Sequence, residues 1–149
     1  MDAMFTEVVK ITQAITVLEG AAAATDLTGA TLDMAGFDGG CCVVQFGPIV
    51  ANAVTSIKLQ QSADTGGSPD DFSDVLGTSQ TVADSADNTV FVIDFKRVTK
   101  RYVKVIVSRA TQNATAAAIY YQYMGRTRPV TQPAGINVER FNAAIEGTA

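Results

Sequence analysis

The chain has 149 residues. That is one domain's length, and a chain of this size buries roughly 68–70% of its unfolded surface. Apolar residues make up 47% and charged residues 17%, which excludes a wholly disordered chain, and a net charge of −4 with pI near 4.6 argues against nucleic acid as a partner for the whole molecule. Histidine is absent, and with it Ser-His-Asp and Cys-His nucleophile pairs, His-ligated zinc and imidazole base chemistry.

Met1 to Glu7 carries Asp2 and Glu7 with no basic stretch before an apolar core, so it does not read as a secretory signal. No apolar run approaches the ~18 residues of a membrane span, and no membrane partner is expected. Residues 1–11 form an N-terminal segment, and the first strand is expected over Gln13–Leu18. Ala21–Ala24 can start a helical turn, which Thr25 and the later glycines stop. Thr31–Met34 is a short strand candidate, and Gly36-Phe37-Asp38-Gly39-Gly40 reads as a turn. Gly40–Phe46 follows as a strand. Its adjacent cysteines, Cys41 and Cys42, point to opposite faces, one buried and one outward, and read as free thiols because a bridge between neighbours is strained.

Thr55–Gln61 alternates, with Ile57 and Leu59 on one side and Ser56, Lys58 and Gln60 on the other. Turn residues fill Asp64–Asp71, a short strand is expected over Phe72–Leu76, and Ala83–Asn88 turns again. Thr89–Phe95 sets Val90, Val92 and Asp94 against Phe91, Ile93 and Phe95. Arg101–Ser108 sets Tyr102, Lys104 and Ile106 against Val103, Val105 and Val107. Ala117–Met124 closes the series, with Ile119, Tyr121 and Tyr123 at a spacing read as core-facing. Eight or nine short strands, frequent turns and no amphipathic helix predict an all-β, antiparallel sandwich or jelly-roll-like domain over residues 12–124.

Residues 125–149 break the pattern. Arg126, Arg128, Pro129 and Pro133 mark an extended arm. Asn137–Ile145 can form a short helix, because Val138, Phe141 and Ile145 fall at i, i+3 and i+7. Such an arm packs back on its own domain or reaches a neighbour, and Arg126, Arg128, Pro129, Val138, Phe141 and Ile145 are its candidate interface residues. Charge shifts along the chain as well. Residues 1–95 hold thirteen acids and two bases, whereas residues 96–149 hold nine bases and two acids. Either the interleaved strands neutralise one another, or the basic tail docks on an acidic neighbour.

Little in the chain points to chemistry. Asp64-Thr65-Gly66 spells the aspartic-protease triplet, but Ser62 and Ala63 before it and Gly67-Ser68-Pro69 after it are hairpin-loop residues. Asp64, Asp70, Asp71 and Asp74 cluster without calcium-loop spacing and read as a solvated acidic loop. Tyr120, Tyr121 and Tyr123 beside Arg126 and Arg128 would suit base stacking only on a wider basic patch. Asn113-Ala114-Thr115 fits a glycosylation acceptor, which has meaning only in a secreted chain. No glycine-rich phosphate loop opens a helix. The expectation is a protein that is not an enzyme, with no catalytic residue, cofactor or metal ligand.

Four stretches carry a resemblance: GCCVVQFGPI at 40–49, TSIKLQQSADTGG at 55–67, KRYVKVIVS at 100–108, and the closing YMGRTRPVTQPAG…EGTA arm. From about Thr12 to Ala149 the chain resembles the small cement or decoration proteins of tailed-bacteriophage capsids. The resemblance implies a jelly-roll-like virion protein on the capsid exterior, made in the host cytoplasm. It also implies self-association as a homodimer or homotrimer at a symmetry axis, and the major capsid protein as partner. Alternatives are another phage structural β-sandwich (tail, connector or fibre base), or a soluble module binding carbohydrate or peptide through its acidic loops.

Overall fold

A computed structural model describes residues 3–140. A single turn of helix, α1 (Phe5–Val8), opens the chain, and the Glu7 carboxylate accepts the Met4 amide at 2.8 Å. Strand β1 (Lys10–Ile15) ends before Val17 and Leu18, expected as its last residues; both lie in the following loop, largely exposed. The Ala21–Ala24 run forms no helix, only an isolated bridge from Ala23 to Ala114. Next come β2 (Leu27–Thr28), β3 (Leu32–Asp33), β4 (Phe37–Ile49), β5 (Val54–Ser62), β6 (Asp64–Thr65), β7 (Ser68–Pro69), β8 (Ser73–Asp74) and β9 (Gln80–Val82). The chain closes with β10 (Val90–Lys96), β11 (Tyr102–Ala110) and β12 (Ala114–Gly125).

All pairings are antiparallel. One sheet runs β1-β12-β4-β10; the other runs β2-β11-β5-β8, with β3 also on β11 and β9 also on β5. Strands β2 and β3 pair successive stretches of β11, and β8 and β9 pair successive stretches of β5, so each pair fills one strand position. Eight positions remain, in the orders 1-8-3-6 and 2-7-4-5. That interleaving is a jelly roll, which the sequence pattern left undecided against other sandwiches. The hairpin β6–β7 sits apart from both sheets.

Of the expected turn at Gly36–Gly40, Gly36 does turn, at φ +84, but Phe37–Gly40 are already the start of β4. Gly39 and Gly40 continue the strand because rings from neighbouring strands lie across them: a Cβ on Gly39 would stand 2.2 Å from Tyr123, and one on Gly40 2.5 Å from Phe95. Glycine is needed there to admit the rings, an arrangement that recovers apolar cover in a strand otherwise weakened by glycine.

Between the sheets, Ile57 and Leu59 from β5 and Val103, Val105 and Val107 from β11 meet Cys42, Val44 and Phe46 from β4. The predicted facing of β5, β10 and β11 is observed. That of β12 is reversed: Ala114, Ala116, Ala118, Tyr120 and Gln122 point inward, whereas Ile119, Tyr121 and Tyr123 lie on the outer surface. Both faces of β12 are apolar, so alternation alone cannot orient it. Volume decides, since alanines fit opposite the large aliphatics of the other sheet.

Tyr120 also repairs a break in the hydrogen-bond ladder. Strands β2 and β3 leave a gap along the edge of β11, and there the Val105 amide donates to the Tyr120 hydroxyl at 2.8 Å, reaching across from the opposite sheet. Gly29 bridges the same gap, its amide donating to the Val105 carbonyl at 2.8 Å, and a Cβ there would collide with the Tyr120 hydroxyl at 2.7 Å. On the other sheet, β10 is an edge strand, and its Val92 carbonyl accepts the Gln80 side-chain amide at 3.1 Å. Replacing Tyr120 by Phe orphans a buried amide at a cost of about 1–3 kcal/mol. We expect Tyr120→Phe to lower Tm by roughly 3–10 °C in a thermal melt, and Tyr121→Phe, on the outer face, to leave it unchanged within about 1 °C.

Candidate interaction surfaces

The arm packs back on its own body as far as the described residues reach. The Val130 amide donates to the Glu7 carbonyl at 2.9 Å, and Val130 is buried. Gln132 clamps the arm to the N-terminal segment. Its side-chain amide donates to the Thr6 and Val9 carbonyls at 3.0 and 2.6 Å, and its oxygen accepts the Ile11 amide at 2.9 Å. Arg140 reaches back to Thr6, donating to Oγ1 at 2.9 Å and to the carbonyl at 3.2 Å. Gln132, absent from the sequence candidates, makes three of the bonds that fix the arm; a lone glutamine among prolines gives no signal of this. Val138 is half-buried and Pro129 exposed. Residues 137–140 are not helical, and Phe141 and Ile145 lie outside the described residues.

Arg126 and Arg128 remain in water. They stand at the end of the sandwich where β4 begins and where β10 and β12 finish, together with Lys96, Arg97, Lys100 and Arg101. Arg101 donates to Asp33 and Asp64, both at 2.8 Å, and Arg126 reaches Asp38 at 3.1 Å. These three pairs each join a late base to an early acid, so part of the charge asymmetry is neutralised inside the molecule. The Arg101 guanidinium beside Asp33 holds that carboxyl below its usual range. Being at the surface, such pairs contribute about 0–1 kcal/mol each. Lys96, Arg97 and Arg128 have no ion-pair partner among the described residues. Arg97, Lys100, Arg101 and Arg126 line an open cavity of about 450 Å³ at this end. Arg97 itself is held at φ +52, left-handed geometry for a non-glycine residue.

The opposite end carries Glu19, Asp26, Asp84 and Asp87, whose carboxylates hold loops in place. Asp84 accepts the Asn52 amide and Asp87 the Ile49 amide, each at 2.7 Å. Arg109 is the one base there among the described residues, and it is buried. It donates to the Thr25, Ala21 and Ala114 carbonyls at 2.7–2.8 Å and so pins the loop after β1.

Of the acidic-loop residues, Asp70 and Asp71 are exposed, whereas Asp64 and Asp74 are tied into the fold. Asp64 accepts from Arg101 and from the Gly67 amide at 2.9 Å, capping the β6–β7 hairpin. Asp74 accepts from Lys58 at 2.7 Å and Gln60 at 2.8 Å. No group of three carboxylates or thiols among the described residues is placed to hold a metal ion.

The two outer faces differ. That of the β5–β11 sheet carries Lys58, Gln60 and Lys104, with Phe72 folded over the Lys104 ammonium. That of the β4–β12 sheet is apolar at its centre and uncharged around it. Val92, Val43 and Ile119 are register partners in one row that ends in exposed Gln13 on β1, and Val90 pairs with exposed Gln45. Cys41 pairs with Tyr121 in the next row, where the Phe5 ring packs edge-on against Tyr121. Valines 90 and 92 are about half exposed. The Tyr123 hydroxyl donates to Asp94 at the margin of this face.

No protein family and no curated protein matches the sequence. Among solved structures, a chain from the structure of infectious bursal disease virus Gt strain superposes with a TM-score of 0.40 at 13% identity, over 83% of this chain and 31% of that one. This chain thus spans under a third of the virus chain's length, and a likeness so distant carries no inference.

The thiols fall on opposite faces as expected. Both are free, Cys42 in the core and Cys41 half-exposed on the apolar outer face. Burial pushes the Cys42 thiol from its ordinary value near 9 up to about 12. The unfolded chain therefore releases this proton before the folded one does. Stability from the protonated thiol is complete below pH 9 and declines as pH rises from 9 to 12, by up to about 1.4 kcal/mol per pH unit. Cys42→Ala should flatten the fall of the urea midpoint between pH 9 and 11, whatever it does to the midpoint at pH 7.

Proposed function

We propose that this chain is a structural virion protein, a cement or decoration protein that sits on the outer surface of a phage head and reinforces it by bridging capsomers. The observation that carries the reading is the exposed basic end. There the arm, clamped by Gln132, holds Arg126 and Arg128 beside Lys96 and Arg97. Arg126 is paired to Asp38, but Lys96, Arg97 and Arg128 have no ion-pair partner among the described residues, while Asp84 and Asp87 at the opposite end are occupied by backbone amides. A rigid body with one basic end orients itself on an acidic protein surface without any chemistry of its own. The jelly roll is in keeping with this role, being a fold used in capsid domains, though also in lectins. The partners in this reading are the major capsid protein and further copies of the chain, and the site is the capsid exterior. Weak contacts repeated over a symmetric shell add up through effective concentration.

Other virion positions, in tail, connector or fibre base, fit the same fold and differ in copy number per particle. A soluble ligand-binding module is favoured by one feature, the open basic cavity, and would show a Tm rise with a small anionic ligand.

Reversing both arm charges tests the reading. Arg126→Glu with Arg128→Glu removes one exposed ion pair and should leave the circular dichroism and Tm nearly unchanged. Binding to purified heads, followed by co-sedimentation, should fall at least about tenfold. Undiminished occupancy would overturn the docking mode, and failure of the native chain to travel with particles would overturn the function.

A further inference from the structure

We infer that the apolar outer face of the β4–β12 sheet is where a second copy of this chain packs, face to face. This deepens the self-association in the reading above and rests on it. Val92, Val43 and Ile119 form a row across three strands, with Val90 and Tyr121 alongside, and three of these residues are large aliphatics 38–55% exposed. Contiguous exposed apolar residues of this kind often mark an interaction site.

Charge selects the occupant. The chain carries a net −4, so an identical copy is repelled wherever like charges face each other. Both ends of the sandwich and the other sheet's outer face bear charged side chains. On the β4–β12 face the described charges are Asp94 and Lys96, of opposite sign and together at one corner, and Asp94 is already bonded to Tyr123. A face whose centre is apolar and whose polar members, Gln13 and Gln45, are uncharged is complementary to itself and offers no charge to an acidic or basic partner.

Size sets the strength. Four strands about 4.8 Å apart and seven residues at about 3.4 Å each give a flat footprint of roughly 450 Å² per copy. Stable pairs bury about 800 Å² per partner, so the contact is weak in free solution and becomes populated where copies are held side by side.

Cys41 lies on this face and Cys42 does not, so Cys41 alkylation reports coverage. The experiment uses the isolated full chain with iodoacetamide and no shell, so its failure is separate from failure of head binding. Raising the protein from 10 µM to 1 mM should slow native Cys41 alkylation about fivefold or more, with a matching rise in weight-average mass by sedimentation equilibrium. Val92→Thr with Ile119→Thr, which keeps β-branched residues in the strands, should abolish the concentration dependence. A rate independent of concentration overturns the proposal. So does protection that is concentration-independent and lost on truncation after Arg140, which would assign the face to the chain's own C-terminal segment.

Discussion

With Ala114, Ala116 and Ala118 turned inward on β12, the space between the sheets is filled from the far side, by Ile57, Leu59, Val105 and Val107. The large residues of β12 then have nowhere to go but outward, apart from Tyr120, whose length is used to cross the gap and reach the Val105 amide. One strand thus sets both the composition of the core and the character of the exterior. The same alternation that packs the jelly roll leaves Ile119 exposed beside Val43 and Val92 and turns Tyr121 outward, half-buried under the Phe5 ring. Stability and surface stickiness are two sides of a single pattern.

The sequence carried the fold class well, because on β5, β10 and β11 one face holds at least one charge, Lys58, Asp94 or Lys104, and only one orientation keeps it out of the core. Lys58 and Lys104 alone forbid the alternative. On β12 that discrimination is missing: alanines alternate with isoleucine and tyrosine, and which set is inside depends on the volume offered by a strand far away in sequence. The GFDGG stretch misled for a related reason. Local turn chemistry was outweighed by rings of Tyr123 and Phe95, partners fixed only by the sheet register. The jelly roll itself needed the strand order, which no local pattern encodes.

The charge pattern proved half internal. Arg101 and Arg126 answer early acids, while the acids at the opposite end are spent on backbone amides of their own loops. Of the late bases without an ion-pair partner, Lys96, Arg97 and Arg128 gather at one end, beside an arm held by Gln132 together with Val130 and Arg140. The arginines were readable as candidates from proline-flanked spacing; the clamp that immobilises them was not, since Gln132 acts through backbone carbonyls rather than through any recognisable motif.

The side-chain amide of Gln80 on the Val92 carbonyl has a bearing on crowding. An edge strand with open carbonyls is a template: another chain can add to it, then another, and growth of that kind has no natural stopping point. By occupying one of those acceptors, Gln80 takes β10 out of the ladder-extension reaction. Asp94 and Lys96 further along the same strand make a flat fibril stack still less favourable. If copies crowd on a shell, as in the proposed function, this arrangement steers them toward contacts through faces, which close on themselves, and away from edges, which do not.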